Sequence, residues 1–275
     1  MFFFVLSSCT FSPQEKHTST ELVEEISTEL VEGDKILMDL IGYIGDIPIF
    51  RDFHSKNLYS FDGEFKYYLK GKSGFSPMYC NDSVMIFASL KDARSLGNEV
   101  IITKGKTEKK VVLPNDISWL VSNTNGDTLF YTTGDREVDS VHFFDVLRNT
   151  DATGTLVWYE GFWYSKDKFH YYILNEEDYR CYVYTTSLPP VEQGILLTST
   201  PVDNLCAISS NGNYLSGTEK ISEQLYCVIN LKTGNFKRIK LEESSVFSFF
   251  YKNKAYFFES STSKIIATIN LDEDI

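Results

Sequence analysis

Nowhere in its 275 residues does this chain approach 18 consecutive apolar side chains, so no membrane-spanning helix is expected. Basic residues are few: the formal net charge is −12. The densest basic stretch holds Lys104, Lys106, Lys109 and Lys110 with Glu108 among them, and reads as a solvated hairpin before Val111-Val112-Leu113. That falls short of the basic patch and counterion release that nucleic-acid binding needs, so no nucleic-acid partner is expected. Cysteine is sparse too, and no Cys-x-x-Cys pair exists to make a zinc ribbon or a redox centre. Cys80, Cys181, Cys206 and Cys227 are expected as small buried hydrophobes. The four histidines, His17, His54, His142 and His170, are scattered without a ligand-like spacing, so no metal site is assigned. The chain has no Gly-x-Ser-x-Gly elbow, no phosphate-binding glycine loop and no Asp-x-Asp-x-Asp-Gly calcium loop. Paired carboxylates such as Glu176-Glu177-Asp178 sit in one loop, whereas a glycosidase needs two carboxyls facing each other across a bond. No catalytic residue and no cofactor is assigned.

What is present is a rhythm. Small polar turns recur at Gly45-Asp46, Asn81-Asp82-Ser83, Asn123–Asp127, Ser165–Lys168, Ser209–Asn213 and Tyr251–Lys254, each between two apolar runs. The runs that follow begin near Ile47, Val84, Thr128, Phe169, Tyr214 and Ala255, at intervals of 37, 44, 41, 45 and 41 residues. Intervals of roughly 40–45 residues are those of propeller blades. Aromatic residues, 15% of the chain, suit pleated and half-buried surfaces. The expected fold is all-β, a six-bladed β-propeller of four-stranded antiparallel blades, with strands a to d running from the axis outward.

The fifth blade is the clearest. Strand a covers 205–208, b 214–217, c 224–231 and d 236–241, with Asn211-Gly212 and Thr233-Gly234 supplying the positive φ of tight turns. In strand c, Leu225, Cys227 and Ile229 alternate with Tyr226 and Val228, so both faces are apolar, as expected of a strand packed between neighbours. The first blade is placed at 37–43, 47–52, 57–61 and 65–69, the second at 77–80, 84–90, 99–103 and 109–113, and the third at 118–122, 128–133, 140–147 and 154–158. The fourth takes 162–164, 169–174, 180–186 and 194–198, and the sixth 246–250, 255–259 and 264–271, after which no segment is left for a d strand. Residues 21–32 are expected to supply it by pairing with strand c of the sixth blade, although the Leu22, Ile26, Leu30 spacing also allows a helix over Thr20–Val31.

The N-terminal Met1-Phe2-Phe3-Phe4-Val5-Leu6 leads into Ser7-Ser8-Cys9, and Leu-Ser-Ser-Cys resembles the bacterial lipobox, where a signal peptide is cut and the new N-terminal cysteine is lipidated. The apolar run is short and no Lys or Arg precedes Cys9, so the true start is expected to lie upstream. Residues 1–9 are read as a truncated signal peptide, 10–34 as a polar tether and possible closing strand, and 35–275 as the propeller. The tether contains a duplication, Ser19–Glu24 against Ser27–Glu32.

Asn125-Gly126-Asp127-Thr128-Leu129-Phe130-Tyr131 and Ser209-Ser210-Asn211-Gly212-Asn213-Tyr214-Leu215 resemble the Ser-Pro-Asp-Gly-Lys-x-apolar signature of TolB-like propeller blades. Leu225–Gly234 resembles the apolar-Tyr-x-x-Asp-x-x-x-Gly run that follows it. Phe61-Asp62-Gly63-Glu64-Phe65, with Gly71–Pro77 after it, looks like the first blade of the six-bladed TolB-like lipoproteins of Bacteroidetes. The resemblance implies an exported, lipid-anchored protein of the bacterial cell envelope, periplasmic or on the outer-membrane surface, with no catalytic residues to carry over.

The loops between strands b and c are densely charged, and loops on a rigid scaffold are where binding residues collect. Arg51, Asp52, His54, Arg94, Asp135, Arg136 and Glu177 mark the expected binding face. Phe162-Trp163-Tyr164 reads as packing between blades or as a stacking surface in the channel. The leading expectation is a monomeric, non-enzymatic propeller, held to a membrane only by its lipid, that binds a protein partner or a small ligand through this face. The alternatives are a lyase or hydrolase with its site in the axial channel, and an accessory lipoprotein of a glycan or peptide uptake system.

Overall fold

The computed structural model describes residues 38–92, 95–133, 141–153, 161–165, 168–175, 177–178, 180–186, 194–219, 222–242, 246–259 and 262–271. Its elements are strands that run as successive antiparallel meanders. The first is β1 (Met38–Ile44), β2 (Ile47–Asp52), β3 (Leu58–Phe61) and β4 (Phe65–Leu69); the second is β5 (Phe75–Cys80), β6 (Met85–Leu90), β7 (Leu96–Lys104) and β8 (Thr107–Val112). The third is β9 (Trp119–Ser122), β10 (Thr128–Thr132), β11 (His142–Asp145) and β12 (Thr150–Thr153); the fourth is β13 (Gly161–Ser165), β14 (Lys168–Asn175), β15 (Arg180–Thr186) and β16 (Ile195–Thr200). The fifth is β17 (Val202–Ile208), β18 (Tyr214–Glu219), β19 (Ser222–Asn230) and β20 (Phe236–Lys240). The last has three strands among the described residues, β21 (Val246–Tyr251), β22 (Lys254–Glu259) and β23 (Lys264–Asn270).

The apolar material explains the arrangement, because it lies between the meanders. Ile86, Ala88, Val100 and Ile102 of the second face Leu120, Leu129, Tyr131 and Phe144 of the third. Val121, Phe130 and Phe143 face Phe162, Phe169 and Tyr171 of the fourth. Strand β19 uses both of its faces: Cys227 and Ile229 pack with Tyr172 and Val183, while Tyr226 and Val228 pack with Phe257 and Ile269. Met38, Phe50 and Phe61 of the first meander share a cluster with Phe249 and Phe258 of the last. Within it the Phe50, Phe61 and Phe249 rings stand edge to face at about 5 Å. No single sheet hides its own apolar faces; each needs a neighbour on both sides. The fold is an all-β propeller of antiparallel blades.

The first two meanders join into one sheet through a single parallel bridge, Gly42 to Cys80. A Cβ on Gly42 would stand 2.0 Å from the Cys80 carbonyl oxygen, and the residue's φ is +149°, so only glycine fits there.

Strand placement follows the sequence reading closely except in the third meander. There the outer strand was expected at 154–158, and it is Thr150–Thr153. The Asp145 carboxylate accepts the amides of Leu147 and Arg148, both at 2.9 Å, and Asn149 takes φ +56°. The chain therefore reverses within four residues, and Asp145 pairs with Thr150 directly. Residues 154–158 lie outside the described residues, as do Cys9 and the proposed closing strand at 21–32. Cys80, Cys181 and Cys227 are buried and Cys206 is half-buried.

Candidate functional site

The innermost strands converge on a cavity of about 400 Å³. Their geometry determines what lines it. β1, β5 and β17 each carry a bulge, at Ile41, Met78 and Cys206, where one extra residue breaks the alternation of side chains. All three bulged residues line the cavity, within the continuous runs Leu40–Tyr43, Met78–Asp82 and Leu205–Ser210. β9 has no bulge and contributes the alternating Trp119 and Val121.

A positional rule links the blades. The residue two places before each a–b turn is Tyr43, Tyr79, Val121, Trp163 or Ala207 in the first five meanders, and all five line the cavity. The sixth equivalent, Phe249, is fully buried in the aromatic cluster against the first meander. The cavity is thus built by five meanders, and β21 stands behind it. Tyr43 fastens β21 in place: its hydroxyl oxygen accepts the Phe250 amide at 3.1 Å.

The wall is aromatic. Tyr43, Tyr79, Trp119, Phe162, Trp163 and Tyr164 all contribute. Trp119 is the most open of them, at 42% exposure, while one face of Trp163 is covered by His170, stacked at 5.1 Å. Burial pushes the Tyr43 and Tyr79 phenols far above their ordinary range, so both stay neutral across physiological pH. Burial likewise raises the Cys80 thiol, which makes it a packing group rather than a nucleophile.

The a–b turns form a polar rim at one end. The Gly45 amide donates to the Asp82 carboxylate, and the Ser210 hydroxyl donates to Asp46 at 2.7 Å. Asn81 Nδ2 donates to the Thr124 carbonyl at 3.3 Å. These bonds tie the turns of the fifth, first, second and third meanders together around the opening. Among the described lining residues Asp82 is the one charged side chain, and it is negative.

In an antiparallel meander the b–c loops stand at the end opposite the a–b turns, so the expected binding face lies away from this rim. Arg51 and Asp52 are engaged within the fold there. Arg51 pairs with Asp39 at 2.9 Å and donates to Ser76 Oγ at 3.1 Å and to the Pro77 carbonyl at 3.0 Å, joining the first two meanders. Burial raises the Asp39 carboxyl above its usual value, and Arg51 offsets only part of that. Asp52 is buried and accepts the amides of His54 at 3.0 Å and Ser55 at 3.1 Å. His54 and Glu177 are exposed. Arg94, Asp135 and Arg136 lie outside the described residues; of the four described, Arg51, Asp52 and His54 lie together.

Phe162 and Trp163 are buried between meanders and also line the cavity, joining the two readings of that segment. Sequence reasoning missed Tyr43, Tyr79 and Trp119 as lining residues. The signal for the two tyrosines is their shared position before the turn; Trp119 carries none. A second, open hollow of about 440 Å³ lies between Asp62 and Tyr251–Lys254, but there the Tyr251 hydroxyl is already given to Asp62 and the Lys252 ammonium rests over the Tyr251 ring at 4.7 Å.

No family model matches the chain, and no curated protein matches its sequence. Solved structures do. The β-propeller domain of Cps50 (Swd1) from Myceliophteria thermophila is similar over 85% of this chain and 83% of its own, with a TM-score of 0.53 and 10% identity. Hsv2 from Kluyveromyces lactis is similar over 86% of this chain and 78% of its own, with a TM-score of 0.52 and 12% identity. At such identities the likeness is one of fold alone.

Proposed function

We propose that this protein is a lipid-anchored β-propeller of the bacterial cell envelope that binds a small organic ligand in its axial cavity and performs no chemistry on it. The observation that carries the reading is the cavity itself. It is concave, largely apolar, of ordinary ligand-binding size, and walled by rings on rigid inner strands. The Leu6-Ser7-Ser8-Cys9 segment and the likeness to TolB-like lipoproteins support export and lipidation at Cys9. The propeller has six blades in this reading, and residues 21–32 complete the last of them along β23. The b–c loops, with His54, Arg94, Asp135, Arg136 and Glu177, form a second face for a protein partner.

The test is titration of the purified chain with 1-N-phenylnaphthylamine, an uncharged fluorescent probe, read by energy transfer from tryptophan. Saturable binding is expected, with transfer reduced in Trp119→Phe and reduced further when Trp163, the other tryptophan of the wall, is also replaced by Phe. Two cavity-filling changes, Ala207→Leu and Val121→Phe, should each weaken binding about tenfold while thermal unfolding confirms the fold. Absence of saturable binding, or binding indifferent to both changes in folded protein, overturns the proposal.

A further inference from the structure

We infer that the axial cavity selects an organic cation, of the quaternary or N-methylated ammonium type, over neutral molecules of the same shape. The inference rests on the cavity being the binding site and adds the chemistry of its ligand. Three observations point the same way. The wall presents the rings of Tyr43, Tyr79, Trp119 and Tyr164 around one space, and an aromatic face attracts a cation through its quadrupole while asking for no hydrogen bond in return. A methylated ammonium suits such a wall because its charge is spread over carbon and it offers no N–H that must be satisfied, so entering an apolar space costs it less than it costs a primary ammonium. A carboxylate or phosphate would meet the ring walls, the neutral side chains of Asn81, Thr124, Ser209 and Ser210, and the like charge of Asp82, with no cation to receive it among the described lining residues.

The second observation is the rim. Asp82 stands in the lining and accepts the Gly45 amide, and Asp46, the next residue of that turn, accepts the Ser210 hydroxyl at 2.7 Å. The Asp82 carboxylate, so bonded, is exposed at the rim. The third is the absence of competition: the described lining residues include no Lys, Arg or His. A charged ammonium on the ligand therefore has no resident rival for either the rings or the carboxylates. The net charge of −12 draws cations toward the whole molecule at low salt.

The experiment compares choline with its uncharged carbon isostere, 3,3-dimethylbutan-1-ol, on the full chain, by tryptophan fluorescence and by competition with 1-N-phenylnaphthylamine. Choline is expected to bind at least tenfold more tightly than the isostere. Asp82→Asn keeps an oxygen for the Gly45 amide and should weaken choline several-fold without changing the isostere. Tyr79→Leu should weaken choline further, and Tyr79→Phe should restore it, because the ring and not the hydroxyl is at issue. Equal or tighter binding of the isostere, or choline affinity indifferent to Asp82→Asn, overturns the inference. If the neutral probe binds in the cavity while choline has no advantage, the cation preference falls and the ligand-binding reading stands. If neither probe binds, both fall.

Discussion

Glycine is required in this fold where two backbones meet, and the contrast between Gly42 and Gly45 separates the two reasons for it. Both have positive φ, +149° and +59°, but a Cβ on Gly45 meets nothing within 4 Å, whereas one on Gly42 runs into the Cys80 carbonyl. Gly45→Ala therefore carries only the left-handed backbone cost, about 1 kcal/mol. Gly42→Ala must also push β1 away from β5 and break the parallel bridge, for a loss of about 3 kcal/mol. Urea denaturation of the two variants should show the difference. The need for glycine at 45 is legible, because Gly-Asp between apolar runs is a turn. The need at 42 is not, because Cys80 is 38 residues away and nothing local announces their contact. The same holds for Arg51 and Asp52. Two charges at the end of a strand read as a solvated binding loop, and the partners that absorb them, Asp39 and Ser55 with the Ser76 hydroxyl and the Pro77 carbonyl, are brought in by the fold.

At the scale of the element, the loop after β2 shows how a strand end is fixed by one carboxylate. Burial pushes the Asp52 carboxyl up, but the Ser55 hydroxyl and the amides of His54 and Ser55 outweigh it, so the net shift is downward. A depressed carboxylate contributes stability above the ordinary carboxylate range and loses it as pH falls through the lowered value. Asp52→Asn should therefore cost about 1 kcal/mol near neutral pH and progressively less in acid, where the native residue is itself protonated. Unfolding curves at pH 7 and in the acid range check the sign; a penalty that grows in acid contradicts the assignment. Strands were readable because their alternation is local: Cys227 and Ile229 face one neighbour, Tyr226 and Val228 the other. The outer strand of the third meander was misplaced because the Asp145 turn is made by a side chain bonding its own backbone, a device that Val146-Leu147-Arg148 conceals. The bulges that turn Ile41, Met78 and Cys206 into the cavity left no mark in the hydrophobic pattern, and of the aromatic wall only Phe162-Trp163-Tyr164 was legible as a possible stacking surface in the channel.

For the molecule as a whole, the question is what joins the last meander to the first. Apolar clusters cement the first meander to the last, and two hydrogen bonds reinforce them: Phe250 amide to Tyr43, and Tyr251 hydroxyl to Asp62. Side-chain packing thus already joins the ends of the described chain, yet β23 has no partner on its outer side among the described residues. An unpaired edge is a row of backbone donors and acceptors open to any other strand. The proposal that residues 21–32 fill it predicts a step in a truncation series. Removing residues 1–20 takes away the lipobox-like segment and the first part of the proposed tether, and should leave unfolding unchanged. Removing residues 1–34 strips the proposed partner strand and should lower the midpoint by roughly 5 °C or more. The loss should be local in origin: amides of Lys264–Asn270 should exchange with deuterium faster, while those of β19, packed on both faces, keep their protection. The longer truncation should also self-associate as concentration rises, because two bare β23 edges are able to pair. Equal midpoints for both truncations, with unchanged exchange along β23, would mean that the packing of Phe50, Phe61, Phe249 and Phe258 closes the ring unaided and that the N-terminal segment serves only as a tether.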